Sequence, residues 1–150
     1  MRQLANSQTR PMSQEPPEFS HWKEAWEWHA QETARSLEQE SEASLLAQIQ
    51  DGRYDPYYQI WYSLREKGTL ANCAPVLLEV LRREVGEVQM LTRYHAAAAL
   101  FHLLGYPDDP IPPLRAQVQW DHQGEAARQQ AIDALELIIQ KQQLGKDNTG

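Results

Sequence analysis

The sequence predicts an all-α chain, and three observations carry that expectation. Apolar residues recur at helical spacing from Phe19 onward, and no stretch alternates with the two-residue period of a half-buried strand. One helical motif also returns along the chain: Leu64, Leu100 and Leu135 are separated by 36 and 35 residues. At 150 residues the chain is long enough for one domain with a real core.

The elements follow in order. Residues 1–18 are rich in Gln, Ser and Pro and poor in large apolar groups, so they are expected to form a disordered tail. A single domain is expected over 19–143, and residues 144–150 are expected to be a second disordered end. Within the domain, Phe19, Trp22, Trp26, His29, Thr33 and Leu37 recur at helical spacing, which predicts an amphipathic helix over 19–41. Trp22 and Trp26 are its simplest docking anchors, with peptide binding as the other role open to them. From Ser44 to 143 the pattern is three helix pairs. The first helix, "SLLAQIQ", stops at Asp51-Gly52, a turn signal. Asp55 is placed to cap "YYQIWYSLREKG" with Pro56 at its first position, and Gly68 to close it. "APVLLEVLRRE" follows, then a helix capped by Thr92 and ending at Gly105. "YPDDPIPP" is a connection, and "LRAQVQ" and "EAARQQAIDALELIIQKQQ" complete the third pair.

The recurring motif has more than one fixed position. Ser63, Ala99 and Ala134 precede the reference leucine, and Ile60, Ala96 and Ala131 stand four residues before it. Seven before it stand Tyr57, Arg93 and Arg128. This pattern resembles the HEAT repeat, including its phycobilisome-lyase-type variety, whose second helix opens with arginine and runs through small residues to an Ala-Leu pair. The matching stretches are "TRYHAAAALFHLLG" and "ARQQAIDALELII", with "APVLLEVL" matching the first helix, and the resemblance covers roughly residues 44 to 140. Unit one lacks the arginine, Gly105 comes one residue late, and the third pair opens among prolines. Terminal repeats are commonly atypical in this way. The resemblance implies a short right-handed α-solenoid of about three helix pairs, with the N-terminal helix covering one end.

Laid out at 100° per residue, the offsets 0, −3, −4 and −7 from the reference leucine fall within about 60° of one another. They define a buried stripe of Leu100, Ala97, Ala96 and Arg93. Small residues there let helices approach closely. Arg93 and Arg128 sit beside the stripe near helix starts, and a buried arginine needs a partner, so both are read as structural. The opposite face carries Tyr94, His95, Ala98 and His102, and in unit one Tyr58, Gln59, Tyr62 and Glu66. Second helices line the concave, partner-binding surface of α-solenoids. Tyr58, Tyr62, Tyr94 and His102 are therefore the candidate binding residues, rimmed by Glu66 and Asp133. The alternative has Tyr58 and Tyr94 merely packed against the N-terminal helix or the 105–113 loop.

Several chemistries find no support in the sequence. A net charge of −7 disfavours nucleic acid and anionic membrane surfaces as partners, and Arg82-Arg83 is the only adjacent basic pair. No apolar stretch approaches a membrane span or a signal-peptide core, so the expectation is a soluble cytoplasmic chain. The single cysteine, Cys73, lies in an apolar helical context and reads as a small buried residue. His95 and His102 are seven residues apart, roughly 10 Å along a helix, too far to share one zinc ion. The chain has no His-Glu step, as HEAT-type hydroxylases carry, and no phosphate-cradling or nucleophile-elbow motif. Asp108-Asp109 reads as turn chemistry rather than a metal site. No catalytic residue, metal or cofactor is called. The reading is a non-enzymatic module that binds another protein. The resemblance also implies an alternative, a lyase-like protein that handles a bilin chromophore together with a partner subunit.

Overall fold

The first four helices start where a side chain reaches the free backbone amides. The computed structural model describes residues 18–149, with side chains through Gly145, and the expected tail over 1–17 lies outside them. Helix α1 spans Trp22–Leu37, with His21 Nδ1 accepting from the Lys23 amide. It stops short of Ser41 because that serine instead caps α2, Glu42–Gln50. Gly52, at φ 76°, closes α2 as the turn signal predicts.

Asp55 does cap the next helix, but through space. Its carboxylate accepts from the amides of Tyr57, Gln59 and Ile60 at 3.1, 2.9 and 2.7 Å, and α3 begins only at Gln59 and ends at Lys67. The delay leaves Tyr58 in the left-handed region at φ 61°. Gly68 closes α3 without a positive φ. A side chain there would place its Cβ 2.5 Å from Cys73 Sγ and 2.6 Å from the Leu64 carbonyl, so the glycine permits a close approach.

Helix α4 spans Leu70–Arg83, starting earlier than expected because Thr69 caps it. A short 3₁₀ turn, Glu87–Gln89, leads into α5, Met90–Leu103. Thr92 therefore lies inside α5 rather than capping it. Helix α6 is Pro113–Gln119 and α7 is Glu125–Thr149. The latter runs past the expected boundary at 143: no proline interrupts its last turns, and a lone Gly145 does not end a helix already propagating. The described residues contain seven α-helices and no strand, as an all-α chain requires.

Helix α5 lies among α3, α4 and α6. That is why Ala96, Ala97 and Ala99 are fully buried and why Ala98, assigned by periodicity to the outer face, is 7% exposed. The reference positions Leu64, Leu100 and Leu135 share one core with Leu45, Ile60, Trp61, Leu77, Val118 and Ile132. The third pair packs in reverse order: α6 lies against α5, while α7 lies against α4. Length accounts for this. A seven-residue helix covers only about 10 Å, too little for the apolar face of the fourteen-residue α4, whereas α7 is long enough to run along it.

Helix C-termini are held by cations from neighbouring elements. Arg93 is fully buried and Arg128 is 1% exposed. Arg93 donates to the carbonyls of Gln119 (2.9 Å), Glu84 (3.1 Å) and Gly86 (2.6 Å), and Arg128 to those of Leu81 (2.6 Å) and Val118 (3.1 Å). Both arginines thus join the ends of α4 and α6. Arg128 also pairs with the Glu125 carboxylate at 2.6 Å, which holds that carboxyl below the ordinary glutamate range. Lys67 collects the carbonyls of Leu37, Glu38 and Glu40 beyond α1, and Arg83 those of Ile49 and Gln50 at the end of α2.

Replacing Arg93 with methionine leaves three carbonyls without their donor, and is expected to lower unfolding free energy by about 3 kcal/mol. Removing the exposed Arg53–Asp51 pair by Arg53→Ala should change it by less than about 0.5 kcal/mol. Urea denaturation of the two variants, followed by circular dichroism, measures the difference.

Candidate functional site

Tyr58, Tyr62 and Tyr94 meet around a residue left out of the candidate set, His95. The Tyr58 ring stacks on His95 with centroids 4.2 Å apart and planes 13° apart. Tyr62 and Tyr94 present their edges to the same imidazole at 5.9 and 5.1 Å. The helical layout already put His95 on the face with these tyrosines. Discarding it as a zinc ligand hid its role as an aromatic hub.

Tyr58 also faces Trp26 of α1 at 6.5 Å, and Tyr57 meets Trp26 at 4.8 Å and stacks on His29 at 5.9 Å. The N-terminal helix therefore docks on α3 partly through Trp26, and Tyr58 serves packing as well as the surface. Trp22, the other expected anchor, is 72% exposed and stacks only on its neighbour His21. It lies near the start of α1, away from the His29 and Tyr57 contact.

His102 stands apart from the tyrosine cluster. Its Nδ1 lies 3.2 Å from Arg65 Nη2, and that nitrogen also donates to both Asp108 oxygens at 3.0 and 2.8 Å. Asp108 thus takes part in an ion pair, and Arg65 holds its carboxyl below the usual aspartate range, with His102 and Arg115 acting in the same direction. Arg65 lies 5.7 Å over the Tyr62 ring, and Arg115 of α6 lies 5.1 Å over the Tyr94 ring. These two cations were not among the candidates, because the 37-residue separation of Arg65 from His102 and the placement of α6 are tertiary facts. Glu66 is exposed on α3, but Asp133, expected on the rim, pairs with Arg82 at 2.8 Å. The reversed third pair carries it to the α4–α7 seam.

The patch combines exposed and sealed groups. Tyr62 is 45% exposed, Tyr94 and His95 are half-buried, and His102 is exposed. Burial, and then the nearby Arg115 charge, push the His95 pKa down to about 4. The ring is therefore neutral at pH 7, a flat surface for stacking. Tyr58 keeps its left-handed backbone against this ring, and such a conformation in a bulky residue is sparsely populated and concentrates at binding sites.

Other chemistries have little to work with. Cys73 is fully buried, and burial followed by the Glu42 hydrogen bond pushes its pKa up to about 12, so the thiol stays protonated. Among the described residues, no group of three or more His, Cys, Asp and Glu side chains is placed to hold a metal ion. None of the described helices is long and apolar enough to cross a membrane.

The chain matches no protein-family model, no curated protein and no solved structure.

The His95 shift sets a pH dependence. An unfolded histidine takes up a proton below about pH 6.5, whereas folded His95 does so only near pH 4. Between those values the unfolded chain binds more protons, so stability falls as pH falls. Thermal melting at pH 7, 6, 5 and 4.5 should show this loss, with a slope approaching 1 kcal/mol per pH unit. The His95→Gln variant should show a flatter profile over the same window.

Proposed function

We propose that this chain is a non-enzymatic protein-interaction module of the adaptor, chaperone or regulatory-subunit kind, built as a short HEAT-like helix stack. Its first two pairs and its repeated arginine support the repeat reading, and the reversed third pair is then a modified end unit. The recognition surface is the aromatic patch of α3 and α5, with Tyr62 and Tyr94 as contact residues and His102 at its edge.

The observation that carries this reading is the gathering of Tyr58, Tyr62 and Tyr94 on one neutral imidazole, with Tyr62 left 45% exposed beside Arg65. Tyrosine and arginine are enriched at interface hot spots because they bury large surfaces and still bond polar groups. The tyrosine hydroxyls of the patch make no hydrogen bond within the described residues, so they are free to bond a partner.

Affinity capture from lysate of the source cell, with bound proteins identified by mass spectrometry, tests the reading. A partner retained by the unaltered chain should be lost by about tenfold or more with Tyr62→Ala combined with Tyr94→Ala. It should be retained by Leu137→Ala, a change on the exposed side of α7. Circular dichroism should remain unchanged in both variants. Equal capture by the tyrosine variant and the unaltered chain would place recognition on another face.

A further inference from the structure

Arg115 is buried to 2% exposure yet has no carboxylate partner. A guanidinium offers five N–H donors, and this one uses Nε alone, on Gln119 Oε1 at 3.1 Å. Its two terminal nitrogens make no hydrogen bond among the described residues. Unlike Arg93 Nη2, they are not among the fully enclosed unpartnered atoms, and the guanidinium lies over the Tyr94 ring. A buried charge left this way lacks its counterion.

The neighbouring Arg65 is similar. Among the described residues Nη2 alone is engaged, with Asp108 and His102, and Nε and Nη1 make no hydrogen bond. Both arginines stand over tyrosine rings that meet the same His95 imidazole, which puts them on one patch. Two guanidiniums thus flank one aromatic patch and, among the described residues, only Arg65 of the two is paired with a carboxylate, in a chain whose net charge is −7. That carboxylate sits on the 104–112 connection with its side chain 60% exposed. Asp108 therefore occupies, loosely and from within the chain, a place whose donors exceed what it can use.

We propose that Arg115 and Arg65, walled by Tyr94 and Tyr62, form a carboxylate-recognition site for a partner polypeptide. The site takes a flat carboxylate next to an apolar or aromatic group, from an acidic side chain or from a chain terminus. The carboxylate accepts from the free fork of Arg115 and the unused donors of Arg65, and the attached apolar group lies against the tyrosine rings. Asp108 swings aside as the ligand enters. The fold's overall negative charge repels polyanions, so a single carboxylate fits better than a polyphosphate. The proposal rests on the interaction-module reading and names the chemistry of the partner.

Titration of the full-length ¹⁵N-labelled chain tests it, following arginine Nε–Hε and tyrosine ring resonances by NMR. The probes are N-acetyl-phenylalanine, with a terminal carboxylate, and N-acetyl-aspartyl-phenylalaninamide, with a side-chain carboxylate. Their controls are N-acetyl-phenylalaninamide and N-acetyl-asparaginyl-phenylalaninamide. At least one acid should give saturable shifts at Arg115, Arg65, Tyr62 and Tyr94, with its amide about tenfold weaker or worse; which acid binds tells the two sources apart. Asp108→Asn should tighten binding several-fold, and Arg65→Gln should weaken it about tenfold. Asp108 is exposed and Arg65 half-buried, and neither change touches the buried Arg115, so the test does not depend on the folding of an Arg115 variant. Acids no better than their amides would overturn the proposal, as would binding indifferent to Arg65→Gln, or inorganic phosphate binding more tightly than either acid. If partner capture depends on Tyr62 and Tyr94 while no acid binds, the carboxylate site fails and the interaction reading stands. Acid binding without a tyrosine-dependent partner separates the two the other way.

Discussion

The arrangement depends on two buried arginines that join the C-termini of α4 and α6. The last carbonyls of a helix have no intrahelical donor and carry the negative end of its dipole. A guanidinium buried among them is compensated without a carboxylate. Arg93 and Arg128, each in the first turn of its own helix, reach such carbonyls from both α4 and α6. That double reach fixes α6 against α5 and lets α7 lie along α4. It also explains how unit one manages with Tyr57 in place of the arginine. The end of α2 is held by Arg83 from the following pair, and the end of α1 by Lys67, so the same task passes to other residues.

From that junction the surface follows. Because α6 is held against α5, Arg115 comes over the Tyr94 ring, and because α3 packs on the other side of α5, Tyr58 and Tyr62 come to His95. The alanine run makes both approaches possible. With Ala96 to Ala99 buried, α5 presents almost no side-chain bulk between its neighbours, and its larger polar residues are left at the margins. His95 loses solvent there, and burial together with the Arg115 charge keeps the ring neutral. The left-handed Tyr58 costs about 1 kcal/mol or more. The three amides held by Asp55 and the stacking on His95 offset it.

The all-α class, the number and order of helices, and the buried stripe of α5 were legible because helical period is a local signal. The burial of Arg93 and Arg128 was legible for the same reason: periodicity put a charge next to an apolar stripe. Boundaries were read less well where a cap acts through space, as Asp55 does on an α3 that begins at Gln59. Ala98 was misplaced because one helix wheel cannot show that three neighbours surround α5. Asp133 was misplaced because nothing local says that the third pair packs in reverse. Within the site, the tyrosines were visible from their common face. Arg65, Arg115 and Asp108 were not, since each reaches the patch from a different element.

Four buried or half-buried arginines illustrate why residue type alone does not assign a role. Arg93 spends Nε and Nη1 on backbone carbonyls that would otherwise be orphaned, with Nη2 enclosed, and Arg128 spends Nη1 likewise and adds a carboxylate of its own helix. Their charge is absorbed by the fold. Arg65 and Arg115 stand over tyrosine faces with most of their donors unspent, and the acid that pairs with Arg65 is carried by a loop. A helix stack gains nothing in packing from leaving donors open at the rim of an aromatic surface, since two apolar residues would fill the same space without the desolvation cost.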